Sequence, residues 1–288
     1  MKTYIIAIFM VAFPCLTQSQ VQENSIKLKK INIVKTNFRN LKSGEIVNKT
    51  ILFEEGKLQS IKTSEVTQSF FYNLQGLLDM TVKGREGSNW KEVVNYSYDR
   101  QQRLVKFVKK YEEGGELVTK TVSIAYEGAR AKAITKKSNS HQILIEDIEY
   151  IVENGLVVRR SSRDRNQQII NKIEYVYAKD NIVRHKGLLG DKSIKDYTFD
   201  DKNSADLLII KNIFGQNYKV IVPIVSFHEE EFDFQSISNN NELSIISTSA
   251  NHISENGKYK YNNLNYPISY SFSQEKGMLK TEKTYFYE

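Results

Sequence analysis

Trp90-Lys91-Glu92-Val93-Val94-Asn95-Tyr96-Ser97-Tyr98-Asp99 decides the fold. Val94, Tyr96 and Tyr98 share one parity with Trp90 and Glu92, while Asn95 and Ser97 take the other. Alternation of this kind, rich in Tyr and Val, is the pattern of a half-buried β-strand. The stretch closes on a phrase that returns along the chain: apolar, any, apolar, then an acid or amide. It stands as Tyr96-Ser97-Tyr98-Asp99, Ile124-Ala125-Tyr126-Glu127 and Tyr150-Ile151-Val152-Glu153. Tyr197-Thr198-Phe199-Asp200, Tyr259-Lys260-Tyr261-Asn262 and Tyr285-Phe286-Tyr287-Glu288 repeat it, and Tyr175-Val176-Tyr177-Ala178 is a degenerate copy. From 96 to 197 the starts are 28, 26, 25 and 22 residues apart. A fixed period marks a repeat architecture.

Each period holds two strands and two turns. Glu55-Gly56, Gly114-Gly115, Asn154-Gly155, Asn256-Gly257 and Lys276-Gly277 supply turn residues that tolerate positive φ. Only three prolines interrupt the chain. The expectation is an all-β protein, a long antiparallel meander of two-strand repeats that curls into an open sheet or half-barrel. Tyr96, Tyr98, Tyr126, Tyr150, Tyr175, Tyr177, Tyr197, Phe199, Tyr259, Tyr261, Tyr285 and Tyr287 are expected to form its core stripe. No helix of three turns is expected beyond residue 19. Residues 20–89 read as N-terminal strands and 90–288 as the repeat region. A non-repeat excursion near 207–250 carries Val220-Ile221-Val222-Pro223-Ile224-Val225 across the sheet or its end.

Residues 1–19 read as a secretory signal, with Lys2, an apolar run from Tyr4 to Leu16, and Thr17 and Ser19 ahead of cleavage before Gln20. That run is too short to span a bilayer. Ala12-Phe13-Pro14 before Cys15 fits a lipoprotein signal poorly. Cleavage would remove the only cysteine, and with it any disulfide, thiolate nucleophile or Cys-ligated metal. The expected location is the periplasm, the cell surface or the extracellular space, with the outer membrane as the alternative.

Tyr98-Asp99-Arg100-Gln101-Gln102-Arg103-Leu104-Val105 resembles the YD repeat of Rhs-type surface proteins, with Gln102 where that pattern has Gly. Tyr197-Thr198-Phe199-Asp200-Asp201-Lys202-Asn203 and Tyr259-Lys260-Tyr261-Asn262-Asn263-Leu264-Asn265-Tyr266-Pro267 are similar to a group of secreted Gram-negative bacterial proteins of unknown function with a porin-like sheet. The resemblance spans about 90–288 and implies a secreted β-repeat scaffold with no catalytic residues.

Catalytic and cofactor motifs are missing from the sequence. His141, His185, His228 and His252 lie too far apart for a local metal pair. His228-Glu229-Glu230-Glu231 lacks the second His of a metalloprotease helix. With Asp233 it could hold calcium, but a hydrated acidic loop explains it better. There is no nucleophile elbow, dinucleotide fingerprint or phosphate loop. Asp200-Asp201 could supply acid–base chemistry, but turn chemistry accounts for it. No cofactor is expected, and Trp90 reads as a core residue.

Charge is unevenly spread. Residues 100–190 carry 18 Lys+Arg against 11 Asp+Glu, whereas 191–288 carry 10 against 14. Arg130, Lys132, Lys136, Lys137, Arg159, Arg160, Arg163 and Arg165 form the candidate anion patch, facing acidic polysaccharide, lipopolysaccharide or an envelope protein. Nucleic acid is disfavoured because no recognition motif accompanies the charge. The function expected is that of an exported, non-catalytic binding or scaffold protein. An outer-membrane β-barrel is the alternative, and a carbohydrate-active enzyme a weaker one.

Overall fold

A computed structural model describes residues 26–37, 45–139, 143–164, 166–190, 192–227, 232, 234–248, 257–274 and 279–288. Outside this set lie the signal segment, Cys15, His141, Arg165, the cluster from His228 to Glu231 with Asp233, and His252. Among the described residues eighteen strands follow one another in a single antiparallel sheet. They are β1 (Leu28–Asn37), β2 (Glu45–Glu54), β3 (Lys57–Lys62), β4 (Val66–Tyr72), β5 (Leu78–Arg85), β6 (Lys91–Tyr98), β7 (Leu104–Glu113), β8 (Glu116–Glu127) and β9 (Arg130–Ser138). After them come β10 (Ile143–Glu153), β11 (Leu156–Arg163), β12 (Ile169–Ala178), β13 (Asn181–Leu189), β14 (Ile194–Phe199), β15 (Glu242–Ser247), β16 (Lys258–Tyr261), β17 (Pro267–Gln274) and β18 (Leu279–Tyr287).

Each strand from β1 to β14 pairs with the next, as do β16 with β17 and β17 with β18, and β1 pairs with both β2 and β18. The sheet thus curls until the two ends of the chain meet, as a sheet of this many twisted strands must curl or split. Among the described residues one seam interrupts the ladder, between β15 and β16. There Gly257 N–H donates to Leu243 O at 2.6 Å. The result is an almost closed barrel.

The sheet's inner face is mainly apolar. Cross-strand partners Ile31 and Ile51, Phe107 and Val122, and Ile148 and Ala133 all face inward. Tyr96, Tyr150, Tyr175, Tyr197 and Tyr285 are buried there, and Tyr98, Tyr126, Tyr177, Tyr259, Tyr261, Phe199 and Tyr287 are half-buried. Four of the half-buried rings have a second task. Tyr98 hydroxyl donates to Leu78 O (2.9 Å), Tyr126 to Leu104 O (2.9 Å), Tyr177 to Val157 O (2.8 Å) and Tyr287 to Pro267 O (2.8 Å). Tyr72, outside the repeat phrase, does the same to Leu58 O at 2.8 Å. At the end of its strand, each ring thus clamps the start of the strand before it, along one rim of the barrel.

The acid or amide after the tyrosine closes the turn. Asp99 Oδ1 accepts from the N–H groups of Gln101 and Arg103, both at 2.9 Å. Asn73 and Asn262 make the same pair of bonds, two and four residues on, each at 3.0 Å. The residue three after the Asx is left-handed: Gly76 (φ 78°), Gln102 (φ 59°) and Asn265 (φ 61°). Gln102 therefore holds a backbone position that favours glycine. Asp164 builds the same loop at the opposite rim.

One expectation is corrected. A helix stands where none was expected, because α1 (Ala205–Phe214) and α2 (Tyr218–Val225) are joined by a 3₁₀ turn. Ser204 caps α1, its Oγ accepting from Leu207 N–H at 3.1 Å, and Gly215 ends it at φ 62°. The reason for the miss is burial. Ile221, Val222, Ile224 and Val225 are all fully buried and β-branched, so this run reads as a strand, while in α1 the half-buried Leu208 and Ile209 blur the stripe of Leu207, Ile210, Ile213 and Phe214. Burial of each such side chain stabilises by about 1.5–3 kcal/mol and overrides its weak helix propensity. The stretch 207–250 ends with β15, which pairs with β14. The helical segment plugs the rim that carries the tyrosine clamps. Asn212 Nδ2 donates to Gly56 O at 3.0 Å and Asn217 Nδ2 to Gln101 O at 2.9 Å.

Candidate functional site

The seam opens onto a cavity of ≈ 380 Å³. Its floor is the start of α1, with Ser204 and Asp206. Its walls are Phe199 of β14, Asn240 and Asn241 before β15, and Glu242 and Ile245 on it. Tyr259, Tyr270, Phe272 and Lys283 of β16 to β18, and Lys35 of β1, complete it. Aromatic rings gather on one side. Tyr259 and Tyr270 have centroids 4.7 Å apart at 45°, and Tyr259 and Tyr261 lie 6.0 Å apart at 24°. Lys283 Nζ sits 5.3 Å from the Tyr270 centroid and 4.0 Å from Asp206 Oδ2. A smaller cavity of ≈ 200 Å³ shares Asp206, Ser236 and Lys283 as walls. Desolvation holds the Tyr259 and Tyr285 phenols far above their ordinary range, so both are neutral hydroxyls at physiological pH. Chemically, the cavity offers aromatic faces, amide and hydroxyl groups, two carboxylates and two amines.

Asp200, a candidate carboxylate, is committed elsewhere. It accepts from Lys202 N–H (3.0 Å), Asn241 N–H (3.1 Å) and Asn241 Nδ2 (3.2 Å), and it also contacts the Tyr261 hydroxyl. These bonds fasten the start of the plug to the segment that leads into β15. Asp201 points to solvent, its side chain 85% exposed, beside Lys202 Nζ at 3.2 Å. Tyr175 packs on His185 with centroids 5.4 Å apart. Among the described residues no group of three or more metal-ligating side chains is present.

The basic residues divide between the two faces. Arg130, Lys132 and Lys136 of β9 and Arg159 and Arg163 of β11 share the outer face. Between them β10 presents acids: Lys132 pairs with Asp147 at 2.9 Å, and Arg130 and Arg163 reach Glu149 at 3.3 and 3.6 Å. Arg159 pairs with Glu174 at 3.0 Å. The clustered positive charge of the linear sequence is thus interleaved with negative charge by strand pairing. Arg160 lies on the inner parity, its guanidinium carbon 4.0 Å from the Phe227 ring centroid. Lys137 is also on the inner parity, 2.7 Å from Glu113. Lys120 shares the parity of buried Val118 and Val122, so it interrupts the core face and not an outer one.

Lys35, Asp206, Tyr270 and Lys283 are site residues that motif reading missed. One signal was available. Lys283 lies on the same parity as Tyr285 and Tyr287, so a charge stands on the face that should be apolar. A charged residue on a core parity marks a place where the interior is wet.

No protein-family model and no curated protein matches the sequence. Among solved structures, the chain is similar to a porin-like protein from Bacteroides uniformis at 10% identity, covering 91% of this chain and 96% of that one, with a TM-score of 0.48. A porin-like protein from Bacteroides vulgatus gives 9% identity, 91% and 99% coverage, and 0.41. A TcdB2–TccC3–Cdc42 structure gives 12% identity over 60% of this chain and 11% of that one, at 0.34. All three scores lie below 0.5, so the assignment as an all-β, barrel-like repeat protein rests on the strand order and register described above.

Proposed function

We propose that this chain is an exported, non-catalytic binding protein of the bacterial envelope that takes a saccharide unit in the seam cavity. The observation that carries the reading is the Tyr259–Tyr270 pair beside Asn240, Asn241, Lys35 and Lys283 in one opening. Sugar rings present apolar C–H faces and a fringe of hydroxyls, and a site for them needs flat aromatic surface with convergent polar groups. The volume lies in the range of about 300–1,000 Å³ usual for small-molecule sites.

A position outside the bilayer is supported by the outer face. A transmembrane barrel turns apolar side chains to lipid and polar ones to its lumen. Here the inner face is mainly apolar, with charges such as Lys120, Arg160 and Lys283 set among the apolar residues, and the outer face carries Lys132, Asp147, Glu149, Arg159, Glu174 and Arg184. Export itself rests on the segment at residues 1–19.

Titration calorimetry of the mature chain against a panel of neutral and acidic oligosaccharides tests the proposal. Binding is expected, and Tyr259→Ala and Tyr270→Ala should each abolish it. Absence of binding across the panel would overturn the assignment. Turnover of any glycan that disappears in Asp206→Asn or Glu242→Gln would overturn the non-catalytic reading.

A further inference from the structure

At the rim opposite the plug, the pairing of β9 with β10 continues past the packed core. Ile143, Leu144 and Ile145 are consecutive, yet they are 56%, 41% and 59% exposed. Successive strand residues point to opposite faces, so both faces of β10 are uncovered at this end. A strand that lay on a core would hide one of them. Next along the rim, Ile169 and Ile170 at the start of β12 are 38% and 51% exposed, and Leu189 at the end of β13 is 41% exposed. These six aliphatic residues share one corner of the barrel.

Each aliphatic strand end has a base beside it. Register places Ile145 opposite Lys136, Leu144 opposite Lys137 and Leu189 opposite Lys172. Lys136 is exposed, as are Lys186 on β13 and Lys192 in the turn after it. Lys137 is engaged through Glu113 at 2.7 Å. Apolar side chains that project past the core, with long basic side chains one strand away, match a surface with an apolar interior and an anionic skin. Lysine stems can lie along the apolar layer while their ammonium groups reach phosphate. A second copy docked face to face would instead bring Lys136 and Lys172 against like charges.

We infer that this corner, built from the ends of β9, β10, β12 and β13, docks peripherally on an anionic phospholipid bilayer. Ile143, Ile145 and Ile170 enter the headgroup boundary, and Lys136 and Lys172 pair with lipid phosphate. The barrel stays outside the membrane, with its plugged rim facing away. The inference is independent of the seam cavity and its ligand.

Co-sedimentation of the mature chain with vesicles decides it. Binding is expected to vesicles of phosphatidylglycerol mixed with phosphatidylcholine, weaker at raised salt, and not to phosphatidylcholine alone. The double variant Lys136→Glu/Lys172→Glu should weaken binding by about tenfold or more, because each basic residue near an anionic surface contributes about 1 kcal/mol. Ile145→Asp should weaken it similarly. Leu264→Asp, at the other rim and 55% exposed in the wild type, should bind as the wild type does. Circular dichroism of each variant checks that the fold is retained. Equal binding to both vesicle types, or unchanged binding by Ile145→Asp, would overturn the inference. So would no vesicle binding together with self-association, lost in Ile145→Asp, on analytical ultracentrifugation; that outcome would assign the corner to a second copy.

Discussion

Tyr98→Phe removes a single hydroxyl and keeps the ring. The lost bond is the one to Leu78 O at 2.9 Å, which ties the end of β6 to the start of β5. Desolvation holds the Tyr98 phenol well above its ordinary range, so it is a neutral donor at any physiological pH. A neutral hydrogen bond of this kind contributes about 0.5–1.5 kcal/mol net. At this chain length that corresponds to a fall in melting temperature of about 2 °C. Five such clamps exist among the described residues, at Tyr72, Tyr98, Tyr126, Tyr177 and Tyr287. If they add, removing all five costs about 5 kcal/mol, a large part of the stability of a typical domain. Tyr150→Phe is the internal control. Its hydroxyl is fully buried and has no hydrogen-bond partner among the described residues. Deleting it should leave stability unchanged or raise it, since an unsatisfied buried hydroxyl costs about 1–3 kcal/mol. Urea unfolding followed by the fluorescence of Trp90 and by far-ultraviolet circular dichroism measures both. A Tyr98→Phe protein as stable as the wild type would refute the clamp, as would equal losses for Tyr98→Phe and Tyr150→Phe.

Three further outcomes follow from the loops, the plug and the titratable groups. Gln102→Gly should stabilise by up to about 1 kcal/mol, because it relieves a left-handed side-chain clash, less the added freedom of the unfolded chain; a loss in urea unfolding would contradict the assigned backbone. Gly215→Ala should destabilise by more than about 1 kcal/mol, since φ is 62° and the new Cβ would lie 2.9 Å from Leu77 Cδ2; its thermal midpoint should fall while Gly114→Ala, with nothing within 4 Å, falls less. Asp99 links stability to acid. Partial burial pushes its carboxyl up, but the N–H groups of Arg103 and Gln101 and the Arg103 guanidinium outweigh this and leave it below the usual carboxylate value. Its contribution is therefore complete above about pH 4 and is lost as pH falls through the lowered native value. Asp99→Asn, which keeps the loop acceptor as Asn73 and Asn262 do, should flatten that acid limb in pH-dependent unfolding; an unchanged limb would rule Asp99 out as its source.

Strand content, period and turn chemistry were legible from residue order because they are local. Tyr98, Asp99 and Gln102 act within one hairpin or the next, so their spacing already encodes the clamp and the loop. The helix was hidden for an equally physical reason. Residues 221–225 are buried without a break, and in α1 the half-buried Leu208 and Ile209 widen the stripe of Leu207, Ile210 and Ile213, so the helical period is blurred although Asp206, Lys211 and Gln216 face solvent. The surroundings of the basic clusters were not legible for a third reason. Arg130 to Lys136 and Arg159 to Arg163 look like one positive field in linear order, yet antiparallel pairing slides Asp147 and Glu149 between them.

The sequence by itself determined that this is a tyrosine-rich antiparallel meander with tight Asx and glycine turns, because alternation and left-handed positions are properties of neighbours in the chain. Only the tertiary structure decided that β1 closes onto β18, that a helix fills the rim, and that the seam brings Lys35, Asp206, Tyr259, Tyr270 and Lys283 around one cavity. Those residues come from opposite ends of the chain. They meet because a long twisted sheet curls back on itself, and how far it curls depends on the volume of what it must enclose.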